Sequence, residues 1–291
     1  MNYFRTVLFS IFLLINYTFL SCSQINGDSS RVYGVTLDGV DHLNDIVSSL
    51  SKLSKKPTTR IVFDKFLPAT RYTNSCSRIH KVSYVMGCIA DSYYMKEYTL
   101  QYYFDRLNDY VSTLGQKVDI WEIGNEINGE WVGDIDTGIM KISEGYSILK
   151  SQGKKTALTL YYNEDCRENP QNEMFFWVNS YLPDSLKNGL DYVLVSYYGD
   201  DCNNIQPNWQ RVFDSLHVLF PNSMLGIGEC GTTNRGLKES YMKRYYNMKV
   251  TTPGYIGGYF WWYFKKDCVP YTKPLWKTLN EILGGSKEDE D

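Results

Sequence analysis

Apolar residues along the chain alternate between two patterns. Short runs rich in Val, Ile, Leu and Tyr, buried on both faces as in a parallel sheet, recur at residues 31–37, 58–63, 81–89, 118–123, 156–162, 192–198, 224–228 and 256–263. Between them, apolar positions at helical spacing predict helices over 40–53, 98–114, 139–152, 172–182, 209–219, 237–249 and 273–283. Several carry stop signals: Gly115, Gly153, Pro183 and Pro221. Eight strands alternating with seven helical segments predict an α/β fold, a single (β/α)8 TIM barrel spanning residues 30–284. The helix missing from the series would lie between strands two and three, where residues 65–80 read as loop or at most a short turn.

In such barrels the functional groups gather at the C-terminal ends of the strands. Asp64, Asp91, Asn125, Glu126, Tyr162, Tyr198, Glu229 and Trp261 all fall at or near those ends. The most informative stretch is 118–131, VDIWEIGNEINGEW, a buried strand that stops abruptly at Gly124-Asn125-Glu126. A carboxylate at the mouth of an apolar core tends to have its pKa raised by desolvation, which makes it a proton donor near neutral pH. A second strand, ending Gly228-Glu229-Cys230-Gly231, repeats the arrangement about a hundred residues on. Two such carboxyls suggest an acid and a nucleophile. Strict alternation sends Asn125 and Glu126 to opposite sides of their strand, so both reach one site only if the strand bulges there.

Composition narrows the partners. A formal charge of -3 over 291 residues, with no long Lys/Arg run, gives no basic footprint for nucleic acid. The three His and the cysteine spacing make no zinc pattern, so neither metal nor cofactor is expected. Residues 1–22 have the form of an export signal, with Arg5 before an apolar run and small residues after it. Phe19-Leu20-Ser21-Cys22 resembles a lipoprotein box, which would attach the chain to a membrane through a lipidated Cys22; ordinary signal-peptidase cleavage is the alternative. A secreted or extracytoplasmic protein, lipid-anchored or free, is therefore expected, with a charged disordered tail at 285–291. Six further cysteines permit disulfides in that setting. Cys166 and Cys202 fall in neighbouring loops after strands five and six and are the favoured pair, while Cys230 and Cys268 could pair likewise.

The sequence Trp121-Glu122-Ile123-Gly124-Asn125-Glu126 on strand four, with Gly228-Glu229-Cys230-Gly231 on strand seven, resembles glycoside hydrolase clan A. That is the barrel superfamily of cellulases, mannanases, galactanases and related retaining β-glycosidases. The resemblance implies a β-linked glycan substrate, Glu126 as general acid/base and Glu229 as nucleophile. It further implies that Asn125 binds the hydroxyl next to the anomeric carbon and that Tyr198 hydrogen-bonds Glu229. Trp261 would form the floor under the reacting sugar, with Trp262 as the alternative one residue on. Arg60 corresponds to the clan's strand-two Arg, although its distance from Asp64 sets it deep, where Glu122 is a possible partner. Asp64 is a further candidate contact. Tyr161, Tyr162, Tyr197 and Trp131 read as packing.

The chain also departs from the clan. Where many members have His two residues before the strand-six Tyr, Ser196 stands here, and none of His42, His80 and His217 falls at a C-terminal strand end. Those departures favour a rival reading, a catalytically inactive barrel that binds glycans. A metal-dependent barrel lacks His ligands, and a phosphate-binding one lacks a Gly-rich cradle.

Overall fold

The computed structural model describes residues 31–284. The expected export signal 1–22 with Cys22, and the tail 285–291, lie outside the described residues. The strands are β1 (Val32–Leu37), β2 (Thr58–Val62), β3 (Tyr84–Cys88), β4 (Ile120–Gly124), β5 (Lys155–Tyr161), β6 (Tyr192–Tyr197), β7 (Met224–Cys230) and β8 (Tyr255–Trp261). All neighbours are parallel and β1 pairs with β8, so the sheet closes into a (β/α)8 barrel. The helices are α1 (Leu43–Ser51), α2 (Thr73–Ile79), α3 (Leu100–Leu114), α4 (Ile135–Ser151), α5 (Met174–Tyr181), α6 (Asp184–Gly189), α7 (Trp209–Leu219), α8 (Lys238–Tyr246), α9 (Phe264–Cys268) and α10 (Pro274–Ile282). Among the described residues no helix is long and apolar enough to cross a membrane.

Three helices, α2, α6 and α9, lie outside the expected series, α9 falling between β8 and the last expected helix. Segment 65–80, expected to be loop, holds a 3-10 turn over Ala69–Tyr72 and then α2. Thr, Asn and Ser are poor helix formers and blur the apolar period, but burial of Cys76 and Ile79 under α2 stabilises the helix through packing. The helix expected over 172–182 ends at Tyr181, and Pro183 then begins α6 instead of ending the helical region. Proline lacks the donor that a helix start leaves unused anyway.

The barrel interior is graded along its axis. Met86, Ile120, Ala157, Leu194 and Phe260 form an apolar plug, separate from the large core between sheet and helices. Two residues further along the strands, on the same face, come Cys88, Glu122, Thr159, Ser196 and Trp262. The floor is therefore oily and the layer above it polar.

Two bulges shape that upper layer. Against β5, the β4 register shifts between Glu122 and Gly124. Against β6, Val195 pairs with Ile227 but Ser196 pairs with Glu229, leaving Gly228 as the extra residue. Only glycine suits that bulge, because a Cβ at Gly228 would lie 2.6 Å from the Cβ of Leu194. The β7 bulge immediately precedes Glu229, and the β4 shift ends at Gly124, two residues before Glu126; irregularities of this kind re-aim the side chains that follow.

Cys166 and Cys202 form a disulfide with a Cα–Cα distance of 5.2 Å, joining the loops after β5 and β6. Such bonds persist in oxidising surroundings. Cys230 and Cys268 do not pair; both are buried free thiols, and Cys230 Sγ donates to the Tyr259 carbonyl at 3.0 Å. Adjacent loops brought the expectation, but Cys230 lies inside β7, where its side chain is committed to the sheet.

Candidate active site

Glu126 and Glu229 face the same space at the C-terminal mouth. They are 7% and 4% exposed, respectively. Asn125 and Glu126 reach the site together because β4 bulges and Glu126 adopts a left-handed backbone, φ 46. Such a conformation is uncommon outside glycine and marks a position held by its surroundings.

The two carboxyls have different partners. Glu229 Oε2 accepts from Arg60 Nη1 at 2.7 Å, and its Oε1 accepts from the Tyr198 hydroxyl at 2.8 Å. Arg60 is fully buried and also donates from Nε to Glu122 Oε2 at 2.7 Å, while Glu122 accepts from Thr159. Its depth in the barrel thus lets one guanidinium serve both Glu122 and Glu229. Glu126 has no such cation in contact. Its Oε1 accepts from Ser196 Oγ at 2.6 Å and its Oε2 from Ser92 Oγ at 2.8 Å. Ser196, which replaces the clan's His, therefore touches the carboxyl directly.

Burial raises the pKa of both groups. Glu229 is pushed up to about 8, by desolvation first and then by the facing charge of Glu126, against the pull of Arg60 and Tyr198. Glu126 is also raised by desolvation, opposed by the Ser196 and Ser92 hydroxyls and by Arg60. Titration steps of such a pair belong to the pair. Two negative charges facing one cavity are costly, so the pair holds one proton near neutrality. Taken alone, the rise of Glu229 to about 8 would put that proton on Glu229; the guanidinium in direct contact with Glu229, which Glu126 lacks, favours the opposite placement, on Glu126. Tyr198 stays a phenol, raised by burial and then by the negative charge of Glu229 and Glu126.

Two adjoining cavities meet at the carboxyls. One, about 330 Å³, is bounded by Trp131, Tyr161, Tyr198, Tyr263, Asp200, Asp201 and Thr233. The other, about 420 Å³, is bounded by Asp91, Ser92, Tyr93 and Asn125. Glu126, Glu229, Trp131 and Trp262 border both. Asn125 is 1% exposed and its Oδ1 has no protein partner, leaving an acceptor beside the cavity.

Of the tryptophans, Trp262 lines both cavities and Trp261 lines neither. Trp261 is fully buried outside the barrel and donates from Nε1 to Asp267 at 3.0 Å. The reason is local: Gly257, Gly258 and Tyr259 have φ of 86, 87 and 67, which breaks the two-residue alternation before the strand end. Arg60 lies 5.7 Å from the Trp262 ring centroid. Asp64 is also not brought in; it is exposed, accepts from the Tyr72 hydroxyl at 2.8 Å and lines neither cavity. Trp131 and Tyr161, expected to be packing, border the cavity, whereas Tyr162 and Tyr197 are buried. Nothing in the sequence singles out Ser92, because a serine hydroxyl carries no pattern of its own. Among the described residues no cluster of His, Cys, Asp and Glu is arranged to hold a metal ion.

No protein-family model matches the chain, and no curated protein sequence does. Solved structures do match. Saccharomyces cerevisiae Gas2p in complex with laminaritriose and laminaritetraose aligns at 11% identity and a TM-score of 0.54, covering 89% of this chain and 66% of that one. A Glu-to-Gln mutant of Gas2p, in complex with laminaritetraose and laminaripentaose, aligns at 11% identity and a TM-score of 0.55, covering 90% and 65%. The chain thus spans slightly less than two thirds of the length of these structures. At this identity the likeness is one of fold, and at that level the chain shares the (β/α)8 barrel that its resemblance to glycoside hydrolase clan A implies.

Proposed function

We propose that the protein is an exported retaining β-glycoside hydrolase in which Glu229 is the nucleophile and Glu126 the general acid/base. The observation that carries this reading is the unequal treatment of two buried carboxyls at one cavity. A nucleophile must be ionised when the sugar arrives, and Arg60 favours that form of Glu229. A general acid must be protonated then and ionised later, and Glu126 is surrounded by hydroxyls that serve either form.

In the first step a Glu229 oxygen bonds to the anomeric carbon as the glycosidic C–O bond breaks, and Glu126 gives its proton to the leaving oxygen. The covalent ester removes the charge of Glu229, so the ionised Glu126 is no longer opposed. In the second step Glu126 takes a proton from water, whose oxygen attacks the anomeric carbon and releases Glu229. Asn125 Oδ1 is suited to accept from a sugar hydroxyl, and the Trp262 ring to stack on the apolar face of a pyranose. The bound ligands of Gas2p make β-1,3-glucan the first glycan to try.

The test is incubation with a panel of activated fluorosugars, which trap the glycosyl-enzyme of retaining β-glycosidases, followed by peptide mass mapping. A label on Glu229 is the expected outcome. A folded protein that binds glycans, acquires no label and turns over no substrate would instead be the inactive glycan-binding barrel.

A further inference from the structure

The barrel mouth presents aromatic rings that the proposed chemistry does not use, two of which, Phe66 and Tyr102, rest on the buried Tyr98 and keep an open side. Phe66, in the loop after β2, is 47% exposed, and Tyr93, in the helical turn after β3, is 63% exposed. Tyr102, in the first turn of α3, is also exposed. Phe66 holds its ring out from a left-handed backbone, φ 56, a conformation that bulky side chains avoid. One side of the ring packs edge-on against the buried Tyr98, with centroids 5.3 Å apart, and the other is left to solvent.

These rings form two pairs bridged by one ammonium group. Tyr93 borders the larger cavity beside Glu126 and Glu229 and meets Tyr94 edge-on, with centroids 5.2 Å apart. Lys65 Nζ lies 4.4 Å from the Tyr94 centroid and 5.7 Å from that of Phe66. Phe66 in turn meets Tyr102 edge-on at 5.3 Å. The aromatic strip therefore starts at the rim of the cavity and leads away over the loop after β2 and the start of α3.

We propose that this strip is a platform for the part of a glycan chain that extends beyond the catalytic cavity. The inference rests on the glycan reading given above, and continuity with the cavity selects the occupant. Pyranose rings present apolar C–H faces to aromatic rings and hydroxyls to polar groups. Here the rings are interleaved with the Lys65–Glu97 ion pair, 3.1 Å, which offers both a donor and acceptors. That pair has no net charge, which suits a neutral polysaccharide. A lipid surface or a second protein copy would call for a wider uninterrupted apolar patch.

The test uses the full chain carrying Phe66→Gly and Tyr102→Ser together. Glycine accepts the left-handed backbone, so the ring is removed without new strain, and a thermal melt checks folding. Wild type and variant are run through native gels containing laminarin, mannan or galactan, and kcat/KM is measured on each polymer and on the matching trisaccharide. Retardation should weaken and polymer kcat/KM should fall about threefold to tenfold, the value of one or two ring contacts, with the trisaccharide changed less than about twofold. Unchanged polymer handling by an active variant overturns the platform and leaves the hydrolase reading intact, as does an equal loss on polymer and trisaccharide. Retardation lost in the variant, in a protein that turns over no sugar, upholds the platform and removes the hydrolase reading. A wild type retarded by no polymer removes the platform.

Discussion

Glu126 and Glu229 border the same cavities and are almost equally buried, yet the protein surrounds them with different chemistry. Glu229 meets a guanidinium, a donor that cannot reverse, and behind it the buried Glu122 shares the same cation. Glu126 meets two serine hydroxyls, rotors that donate to a carboxylate and accept from a carboxylic acid. The difference teaches how one site can hold two carboxyls in different states: a fixed cation commits one, and neutral, reversible partners leave the other free to cycle.

The largest way to break that comparison is to remove each carboxyl and vary the leaving group. Glu229→Gln should cost at least about 10⁴-fold in kcat on every substrate, since no nucleophile remains. Glu126→Ala should cost about 10² to 10⁴-fold on a glycan, but much less in the glycosylation step of a dinitrophenyl glycoside, whose leaving group needs no proton. Rapid-quench measurement of that step separates the two. Equal losses in both variants on both substrates would contradict the division of roles.

Removing the cation should have the next largest effect. Arg60→Met leaves Glu122 buried without its charge partner, a change that costs about 3–5 kcal/mol in other buried pairs. Denaturant unfolding should register that loss. In the folded fraction, Glu229 should bind its proton more tightly, moving the acidic limb of kcat/KM to higher pH. A variant as stable as wild type with an unchanged acidic limb would show that the guanidinium does not commit Glu229.

The smallest effect is expected at Ser196. Ser196→Ala removes one hydrogen bond from ionised Glu126 and leaves burial in place, so the acid holds its proton to higher pH. Because a general acid works below its pKa, the basic limb of kcat/KM should move upward, with a loss of about tenfold or less near neutrality. A pH–rate profile reads both. A basic limb that stays put or moves down would mean that the hydroxyl does not favour the charged form.

Much of this was legible from the chain. The two-pattern alternation predicts the closed barrel because a parallel strand buried on both faces must be apolar throughout, while its covering helix needs only one apolar stripe. Cys166 and Cys202 were readable as partners because chain order in a barrel makes successive loops neighbours. The segment holding α2 was not readable, since Thr73-Asn74-Ser75 carries no helical preference and only packing stabilises it. Trp262 in place of Trp261, and Tyr161 bordering the cavity where packing was expected, show the same weakness at strand ends. A period of two assigns the wrong face wherever the backbone departs from regular strand geometry.

The amino-acid sequence by itself determined the architecture and the two carboxyls at the ends of β4 and β7, because both follow from local periodicity and from a charge standing where an apolar run stops. Only the tertiary structure decided what those carboxyls meet. Arg60, Ser92, Ser196 and Tyr198 come from three other strands or loops, and bulges within β4 and β7 determine which side chains turn into the barrel. A hydrogen bond of 2.6 Å between residues 70 positions apart depends on closure of the whole sheet, and no local pattern encodes it.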